Sequence, residues 1–173
     1  GWMSKSNQDI ELSVVATIYN DAAVVPLLVS EITSHCRLLE INFEIILVND
    51  CSTDDSEKEI EKICSSSSNI KGITLSRNFG QQIAMSVGMR YAAGKYIIIM
   101  DGDLQNPPSE IPRLYREILK GYDIVYTVSK TRNNFLNQLS SSLFWFIITK
   151  IFGVKIVKNQ LMMKIMTRDF VER

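Results

Sequence analysis

The stretch that decides the fold is Lys95-Tyr96-Ile97-Ile98-Ile99-Met100-Asp101-Gly102-Asp103-Leu104-Gln105-Asn106-Pro107-Pro108. Its first part, from Tyr96 to Met100, is an unbroken run of apolar and aromatic side chains. Such a run predicts a strand that is buried on both faces, as in the centre of a parallel sheet. The strand leads directly into two carboxylates that are separated by one glycine. Open α/β sheets bind ligands beyond the carboxyl ends of their strands, so this turn is a candidate ligand site.

The two carboxylates favour a hard divalent cation. Asp101 and Asp103 stand two residues apart on a turning backbone, so both can offer oxygens to one Mg²⁺ or Mn²⁺ ion. Such an ion keeps several waters and completes its shell with substrate phosphates. Gly102 lacks a side chain, which would allow a phosphate to approach the backbone closely. A solvated acidic turn is the alternative that these residues leave open.

Strands and helices alternate on both sides of this stretch. Strands are predicted at 12–18, 43–48, 70–75, 96–100, 123–128 and 161–166. The short connections indicate a mainly parallel, right-handed α/β sheet with helices on both faces. Polar groups follow four of these strands, namely Tyr19-Asn20-Asp21, Asn49-Asp50, Arg77-Asn78 and Asp101-Gly102-Asp103. Because carboxyl ends of parallel strands meet at one edge, we expect these groups to form a single site.

Apolar residues at three- and four-residue steps predict the helices between the strands. The apolar stripe of the first helix consists of Val25, Leu28, Ile32, Cys36 and Leu39. That of the third helix consists of Phe79, Ile83, Val87 and Tyr91. The expected N-caps are Ser52 or Thr53 for the second helix and Ser109 for the fourth, and the expected C-terminal stops are Gly94 and Gly121. A further helix is predicted at 135–152, with apolar side chains that suit either the core or a membrane-facing surface.

Composition indicates an ordinary globular domain. The 173 residues hold 19 Lys and Arg against 19 Asp and Glu, so no basic field indicates nucleic acid as a partner. The cysteines Cys36, Cys51 and Cys64 lack metal-ligand spacing and fit a reducing compartment. The single histidine, His35, falls in a helical pattern, which argues against a Ser-His-Asp or His-metal mechanism. No apolar run approaches the roughly 20 residues that span a bilayer.

The ends of the chain set the expected domain limits. Residues 1–10 are interpreted as a cloning remnant and a flexible N-terminus, without the pattern of a signal peptide. Residues 11–173 are interpreted as one catalytic domain. The chain stops after Asp169-Phe170-Val171-Glu172-Arg173 without a terminating signal, so we expect a piece of a longer protein.

Two common nucleotide-binding motifs are absent from the sequence. It has no G-x-x-x-x-G-K-[ST] loop, and no G-x-G-x-x-G follows the first strand. A haloacid-dehalogenase-type phosphatase also places D-x-D after a strand, normally the first one, followed by threonine or a small residue. Here the pair follows the fourth strand and is followed by Leu104-Gln105. That phosphatase remains a minor alternative.

Three motifs, in order and at matching spacing, resemble the family 2 glycosyltransferases of the GT-A fold. They are Asp50-Cys51-Ser52-Thr53-Asp54, Leu75-Ser76-Arg77-Asn78-Phe79-Gly80, and the stretch from Met100 to Pro108. The nearer likeness is to the polyprenyl-phosphate branch, with dolichol-phosphate mannose synthase and the bacterial undecaprenyl-phosphate glucosyl- and aminoarabinosyl-transferases. It covers nearly the whole chain from about Leu12.

The resemblance implies a metal-dependent mechanism. Asp101 and Asp103 would hold Mg²⁺ or Mn²⁺ against the diphosphate of a sugar nucleotide, with help from Gln105. Negative charge builds on the departing nucleoside diphosphate, where the metal and Arg132 would stabilise it. An anionic lipid phosphate acceptor needs no dedicated base, which fits a chain with no evident catalytic histidine.

The resemblance also implies a nucleotide pocket. Tyr19 and Asp21 would line it, and Asp50 would accept a hydrogen bond from the nucleotide base. The sequence departs from the usual family pattern at several positions, which are Thr17, Asp21, Asn49, Ser129 and Lys164. Lys164 stands where relatives have an arginine near the acceptor. Lysine lacks the bidentate fork of arginine, so this change would alter how the acceptor is held.

The resemblance thus implies an inverting glycosyltransferase of the hexosyltransferase type. It would move a sugar from a UDP- or GDP-sugar to a polyprenyl phosphate on the cytoplasmic face of the membrane. Relatives carry transmembrane helices further along, so the full-length protein would meet the membrane surface while this piece is soluble or peripheral. The sequence leaves open whether the protein forms homo-oligomers. The alternatives are transfer to a saccharide hydroxyl, which would need a carboxylate base, and an inactive nucleotide-binding domain.

Overall fold

A computed structural model of the chain describes residues 9–127 and 163–173. Within these ranges strands and helices alternate, as the sequence predicts. The strands are β1 Leu12–Ile18, β2 Phe43–Asn49, β3 Ile70–Thr74, β4 Tyr96–Asp101, β5 Ile124–Tyr126 and β6 Lys164–Thr167. The helices are α1 Val25–Arg37, α2 Ser56–Ser66, α3 Gln81–Tyr91, α4 Ile111–Ile118 and α5 Arg168–Glu172, with a 3₁₀ turn at Pro108–Glu110.

The six strands form one sheet in the order β3-β2-β1-β4-β6-β5. The pairs β1–β2, β1–β4 and β2–β3 are parallel, and β6 lies antiparallel between β4 and β5. The central strands β1 and β4 are buried along almost their whole length. The predicted mainly parallel α/β sheet is therefore confirmed. The strand predicted near the end of the chain is present, but it begins three residues later than expected and runs antiparallel.

Helices cover both faces of the sheet. Alternate β1 residues, among them Val14 and Ala16, belong to a core shared with α1 and α4. Val15 points to the other face, where it meets Gly88 of α3. The carboxyl ends of four parallel strands consequently open on one edge, between these two layers.

Helix α3 forms where the sequence predicts it but buries a different side. Of the expected apolar stripe, Phe79, Ile83 and Tyr91 are 38%, 47% and 63% exposed. The buried residues are Ala84, Met85 and Gly88. A Cβ atom at Gly88 would overlap the Val15 side chain, so the backbone of α3 lies very close to the sheet. The small residues allow this approach, and the larger stripe is left outside.

The expected N-terminal caps are wrong. Helix α2 begins at Ser56, and Asp54 Oδ1 accepts a hydrogen bond from the Ser56 backbone N–H at 2.9 Å. Ser52 and Thr53 instead bond to the loop that follows β1. Ser109 lies within the 3₁₀ turn that precedes α4 and does not cap that helix. Ser52 and Thr53 thus join two loops instead of capping a helix.

Of the two expected C-terminal stops, only Gly121 fits. It follows α4 with a φ of +102° and donates its N–H to the Ile118 carbonyl. Helix α3 already ends at Tyr91, three residues before Gly94. Gly94 is required by close packing, because a Cβ atom there would lie 2.5 Å from the Ser13 backbone nitrogen.

A buried carboxylate joins the strands near their amino ends. Glu44 is 1% exposed. Its Oε1 accepts hydrogen bonds from Ser13 Oγ and the Ala93 N–H, both at 2.6 Å, and its Oε2 lies 2.7 Å from Lys71 Nζ. Burial alone would raise the pKa of Glu44, but the bonds from Lys71, Ser13 and Ala93 outweigh it and lower that pKa. The network fixes the connection between α3 and β4.

Among the described helices, none has the length and apolar character that crossing a bilayer requires. The helix predicted at 135–152 lies outside the described residues, as do residue 128 of the fifth predicted strand and residues 161 and 162 of the sixth.

Candidate active site

A cavity of about 270 Å³ opens at the carboxyl edge of the sheet. The ends of β1, β2 and β4 and the start of α3 surround it. Six residues predicted from the sequence to form the site line this cavity together, namely Tyr19, Asp21, Asp50, Asn78, Asp101 and Asp103. The expected meeting of polar strand ends therefore occurs.

A larger cavity, of about 560 Å³, lies at the opposite end of the sheet. Acidic and basic side chains mix along its wall, and Arg168 there already donates to the Ala92 and Gly94 carbonyls. We assign the site to the smaller cavity, because α/β sheets of this kind bind ligands at the carboxyl ends of their strands.

The turn after β4 presents its two carboxylates to the cavity. Asp101 Oδ1 accepts a hydrogen bond from Thr17 Oγ1 at 3.3 Å, and Asp103 Oδ1 accepts one from the Gln105 N–H at 3.0 Å. Gly102 donates its N–H to the Thr17 carbonyl at 3.0 Å. A Cβ atom at Gly102 would lie 2.6 Å from that same carbonyl oxygen. Contact with β1 therefore requires glycine at this position, whether or not a phosphate approaches.

The cavity carries uncompensated negative charge. The pKa of Asp21 is raised, first by burial and then by the charges of Asp103 and Asp101, against the opposing effect of the Tyr19 N–H. Among residues 9–127 and 163–173, no lysine or arginine forms an ion pair with these three carboxylates. A bound cation would relieve this repulsion.

The donor set suits a metal ion that is only partly held by protein. Within the described ranges, no group of three or more His, Cys, Asp or Glu side chains is arranged to hold a metal. Asp101 and Asp103 offer hard carboxylate oxygens from one turn. Mg²⁺ and similar ions bind through one or two carboxylates and take waters and substrate phosphates as their other ligands. The residues present thus fit such an ion.

The loops after β1 and β2 hold each other in place. Asn20 has a φ of +54°, and its Oδ1 accepts a hydrogen bond from the Thr53 N–H at 2.8 Å. The Asn20 N–H in turn donates to Ser52 Oγ at 3.0 Å, and the Ala22 N–H to Asp54 Oδ2 at 3.0 Å. Asparagine tolerates the left-handed conformation better than most residues. These bonds fix the backbone that presents Tyr19 and Asp21.

Asp50 anchors the loop between β3 and α3. It is 4% exposed, and its Oδ1 and Oδ2 accept hydrogen bonds from the N–H groups of Phe79 and Gly80 at 2.8 and 2.9 Å. Gly80 has a φ of +89°, which favours glycine. The contact of Asp50 with a nucleotide base, which the resemblance implies, stays a prediction.

Two predicted site residues are not part of the described cavity. Gln105 is exposed, and only its backbone N–H reaches Asp103. Arg132 lies outside the described residues. Arg77, a motif residue, stacks on the Phe79 ring with its guanidinium carbon 4.6 Å from the ring centre. It does not line the cavity.

Sequence reasoning missed four cavity residues, which are Thr17, Ile18, Gly80 and Gln81. Thr17 is the last residue of β1 on the face that packs toward α3. A hydroxyl at the end of a strand can face the site, although the family pattern marks Thr17 only as a departure. Gly80 and Gln81 begin α3 directly after the third polar strand end, a position from which a side chain can reach the edge.

The sequence model of Glycosyl transferase family 2 matches residues 13–170. The chain belongs to glycosyltransferase family 2. The family assignment implied by the three sequence motifs is therefore confirmed.

Curated relatives agree with this family 2 assignment. The chain is 36% identical over 170 residues to an undecaprenyl-phosphate 4-deoxy-4-formamido-L-arabinose transferase of Aeromonas hydrophila, covering 96% of this chain and 52% of that protein. It is 38% identical over 141 residues to the transferase of the same name from Yersinia enterocolitica, covering 81% and 43%. The resemblance to the polyprenyl-phosphate branch is confirmed. The chain spans about half the length of these relatives.

Solved structures confirm the GT-A fold of this family 2 glycosyltransferase. Glucosyl-3-phosphoglycerate synthase from Mycobacterium tuberculosis, crystallised with Mn²⁺, UDP and phosphoglyceric acid, has a TM-score of 0.61 at 19% identity, covering 92% of this chain and 56% of that one. A mannosyltransferase from Pyrobaculum calidifontis, in complex with GDP-Man and Mn²⁺, has a TM-score of 0.58 at 18% identity, covering 76% and 39%.

Proposed function

We propose that this chain is the catalytic portion of an inverting, metal-dependent glycosyltransferase, which moves a sugar from a UDP- or GDP-sugar to a polyprenyl phosphate. The observation that carries the proposal is the cavity at the carboxyl edge, where Asp101 and Asp103 lie together with Tyr19, Asp21 and Asp50. The printed names of the Aeromonas and Yersinia relatives support a lipid phosphate acceptor. The Mn²⁺, UDP and GDP-Man in the solved structures support the donor and the metal.

The residues of the described cavity divide into two tasks. Asp101 and Asp103 would hold Mg²⁺ or Mn²⁺, and the Thr17 hydroxyl and the Gln105 N–H orient these carboxylates. The bound ion supplies Lewis-acid stabilisation of the negative charge on the leaving diphosphate. Tyr19 and the loops fixed by Asn20 would form the wall against which the nucleotide lies.

An anionic acceptor explains how the reaction proceeds without a dedicated base. A lipid phosphate carries negative charge near neutral pH and attacks the sugar carbon directly, opposite the departing diphosphate, so the configuration at that carbon inverts. Arg132 is proposed to face phosphate during this step, and Gln105 to assist the metal through its side chain. We propose that the full-length protein works at the cytoplasmic face of the membrane, where it would meet such a lipid.

Nucleotide binding tests the metal site. Thermal unfolding should shift upward when UDP or GDP is added with Mn²⁺, and Asp103→Ala should abolish the shift. Asp123→Ala is the matched control, because Asp123 is an exposed carboxylate outside the cavity. Equal shifts with and without Mn²⁺ would contradict metal-dependent binding.

Transfer assays on the full-length protein test the acceptor. We expect product with polyprenyl phosphate and a UDP- or GDP-sugar, and no product with saccharide acceptors. Transfer to a saccharide hydroxyl alone would refute the lipid acceptor. Release of inorganic phosphate from simple phosphomonoesters would favour a phosphatase instead.

A further inference from the structure

The turn that carries the two carboxylates after β4 is held differently in its two halves. In the first half, Asp101 Oδ1 accepts a hydrogen bond from the Thr17 hydroxyl, and Gly102 donates its N–H to the Thr17 carbonyl. Both bonds hold this half against the end of β1. The pairing of β4 with β1 ends at Asp101, so the second half, from Asp103 to Gln105, needs a different support.

Leu104 is the residue at the centre of this second half. Its side chain is partly buried and packs against the hydrophobic core, in a cluster that also contains Ile18 and Met100 from near the ends of β1 and β4. The residues on either side of it, Asp103 and Gln105, are exposed. Leu104 therefore anchors the turn in the core between two residues that face solvent.

The backbone at Leu104 lies in the left-handed region, with a φ of +61°. This conformation is unfavourable for a bulky side chain, and it persists only where the surrounding structure imposes it. The Asp103 carboxylate closes the turn across Leu104 by accepting a hydrogen bond from the Gln105 N–H at 3.0 Å. Glycine would adopt the same φ without strain but has no side chain to pack. The leucine thus accepts strain in exchange for an anchor.

We propose that Leu104 is a positioning residue for the metal site, because its core anchor holds the left-handed turn that keeps Asp103 beside Asp101. This inference rests on the proposed function, in which both aspartates hold the metal. Leu104 is not among the residues that line the cavity, so it would act through the backbone of Asp103. Loss of the anchor should therefore reduce what the metal adds to nucleotide binding, and leave the metal-free contacts unchanged.

The first test shortens the Leu104 side chain. Dissociation constants of UDP and GDP are measured by isothermal titration calorimetry, with Mn²⁺ and with EDTA in its place. Leu104→Ala should weaken binding at least about tenfold with Mn²⁺, since a displacement of about 1 Å in a ligand is enough for such a loss. With EDTA its affinity should equal that of the unaltered protein. Leu104→Met keeps an apolar anchor of similar volume and should retain full affinity with Mn²⁺.

Two consecutive residues after α1 provide matched controls. Leu39 is also a partly buried leucine that packs against the same core cluster, and Glu40 is an exposed residue with a φ of +53°. Neither lines the cavity. Leu39→Ala should lower the urea midpoint of unfolding as Leu104→Ala does, and Glu40→Gly removes left-handed strain away from the site. Both variants should bind UDP and GDP with Mn²⁺ like the unaltered protein.

The second test separates positioning from stability by means of Leu104→Gly. Glycine adopts a positive φ more readily than alanine, so this variant should unfold at a urea concentration equal to or higher than that of Leu104→Ala. Its turn is less restrained, so its nucleotide affinity with Mn²⁺ should be no stronger than that of Leu104→Ala. A purely structural role predicts that affinity follows stability. Tighter binding by Leu104→Gly, or a lower urea midpoint than that of Leu104→Ala, would therefore refute the proposal.

The calorimetry distinguishes failure of this inference from failure of the proposed function. If Leu104→Ala keeps full affinity with Mn²⁺, or loses as much affinity with EDTA, Leu104 does not position the metal site and the proposed function stands. If Leu39→Ala weakens binding as much as Leu104→Ala, the effect is a general loss of stability and the inference is refuted. If the unaltered protein binds nucleotides equally well with Mn²⁺ and with EDTA, the proposed metal-dependent function itself fails.

Discussion

Replacing Glu44 by alanine should destabilise the protein strongly. The change leaves the buried Ser13 hydroxyl and the partly buried Ala93 N–H, both 2.6 Å from Glu44 Oε1, without their acceptor. It also removes the partner of Lys71. Lys71 is about half exposed and can be solvated without its partner, so most of the loss comes from the two orphaned donors, each worth about 1–3 kcal/mol. We expect the free energy of unfolding to fall by about 4 kcal/mol, a large part of the usual 5–15 kcal/mol.

The measurement is urea denaturation followed by circular dichroism, at pH 7 and at lower pH. Because folding lowers the pKa of Glu44, its ionised form stabilises the protein above the unfolded value of 4.5. This stability is lost as the pH falls through the folded-state pKa, so the two proteins should converge in acid. Glu31→Ala is the control, because Glu31 is half-exposed and its one ion-pair partner among the described residues is His35, at 3.7 Å. This substitution should change the free energy of unfolding by less than about 0.5 kcal/mol. A loss below about 1 kcal/mol at pH 7, or a difference that does not shrink in acid, would refute the reasoning.

Three further substitutions test the packing and the charge of the site. Gly102→Ala places a Cβ atom 2.6 Å from the Thr17 carbonyl oxygen, so the turn must move. We expect calorimetry to show at least about tenfold weaker binding of UDP or GDP with Mn²⁺. An unchanged affinity would contradict this expectation. Gly88→Ala should lower the free energy of unfolding, measured by urea denaturation, by about 1–2 kcal/mol. The reason is that overlap with Val15 outweighs the gain in helix propensity. A variant of equal or greater stability would show that α3 and β1 are not in tight contact. Asp21→Asn should raise the free energy of unfolding at pH 7 by about 0.3 kcal/mol, a small value because the group is largely solvated. The raised pKa of Asp21 means that its ionised form, which is present above about pH 3.8, destabilises the folded state. The gain in stability should therefore vanish near pH 3. A gain that persists at pH 3 would show that it has another cause.

The strands and the site edge were predictable because their signals are local. The apolar runs of β1 and β4 can only be satisfied by burial on two faces, and both strands lie at the centre of the sheet. The polar residues that follow these strands meet because parallel strands share an edge. The candidate metal site could therefore be predicted from the residues between Tyr96 and Asp103 alone.

The errors come from contacts between residues that are distant in sequence. The face that α3 buries depends on Gly88 meeting Val15, which lies 73 residues earlier, so the larger apolar stripe was misleading. Ser52 looks like a helix cap, but it bonds to Asn20 in another loop. Asp50 reaches N–H groups about 30 residues away, and no local pattern indicates that partnership.

The position of β6 determines where this protein can be shortened. On one side, β6 pairs with β4, for example Lys164 with Ile99. On its other side it pairs with β5, for example Lys164 with Tyr126, and it is the only neighbour of β5 among the described strands. A chain that ended before residue 163 would leave β4 with a bare hydrogen-bonding edge. Bare edges of apolar strands pair with other molecules and aggregate. A shorter piece expressed for crystallography or assays should therefore extend at least to Thr167. This holds even though the residues that line the cavity all precede residue 106.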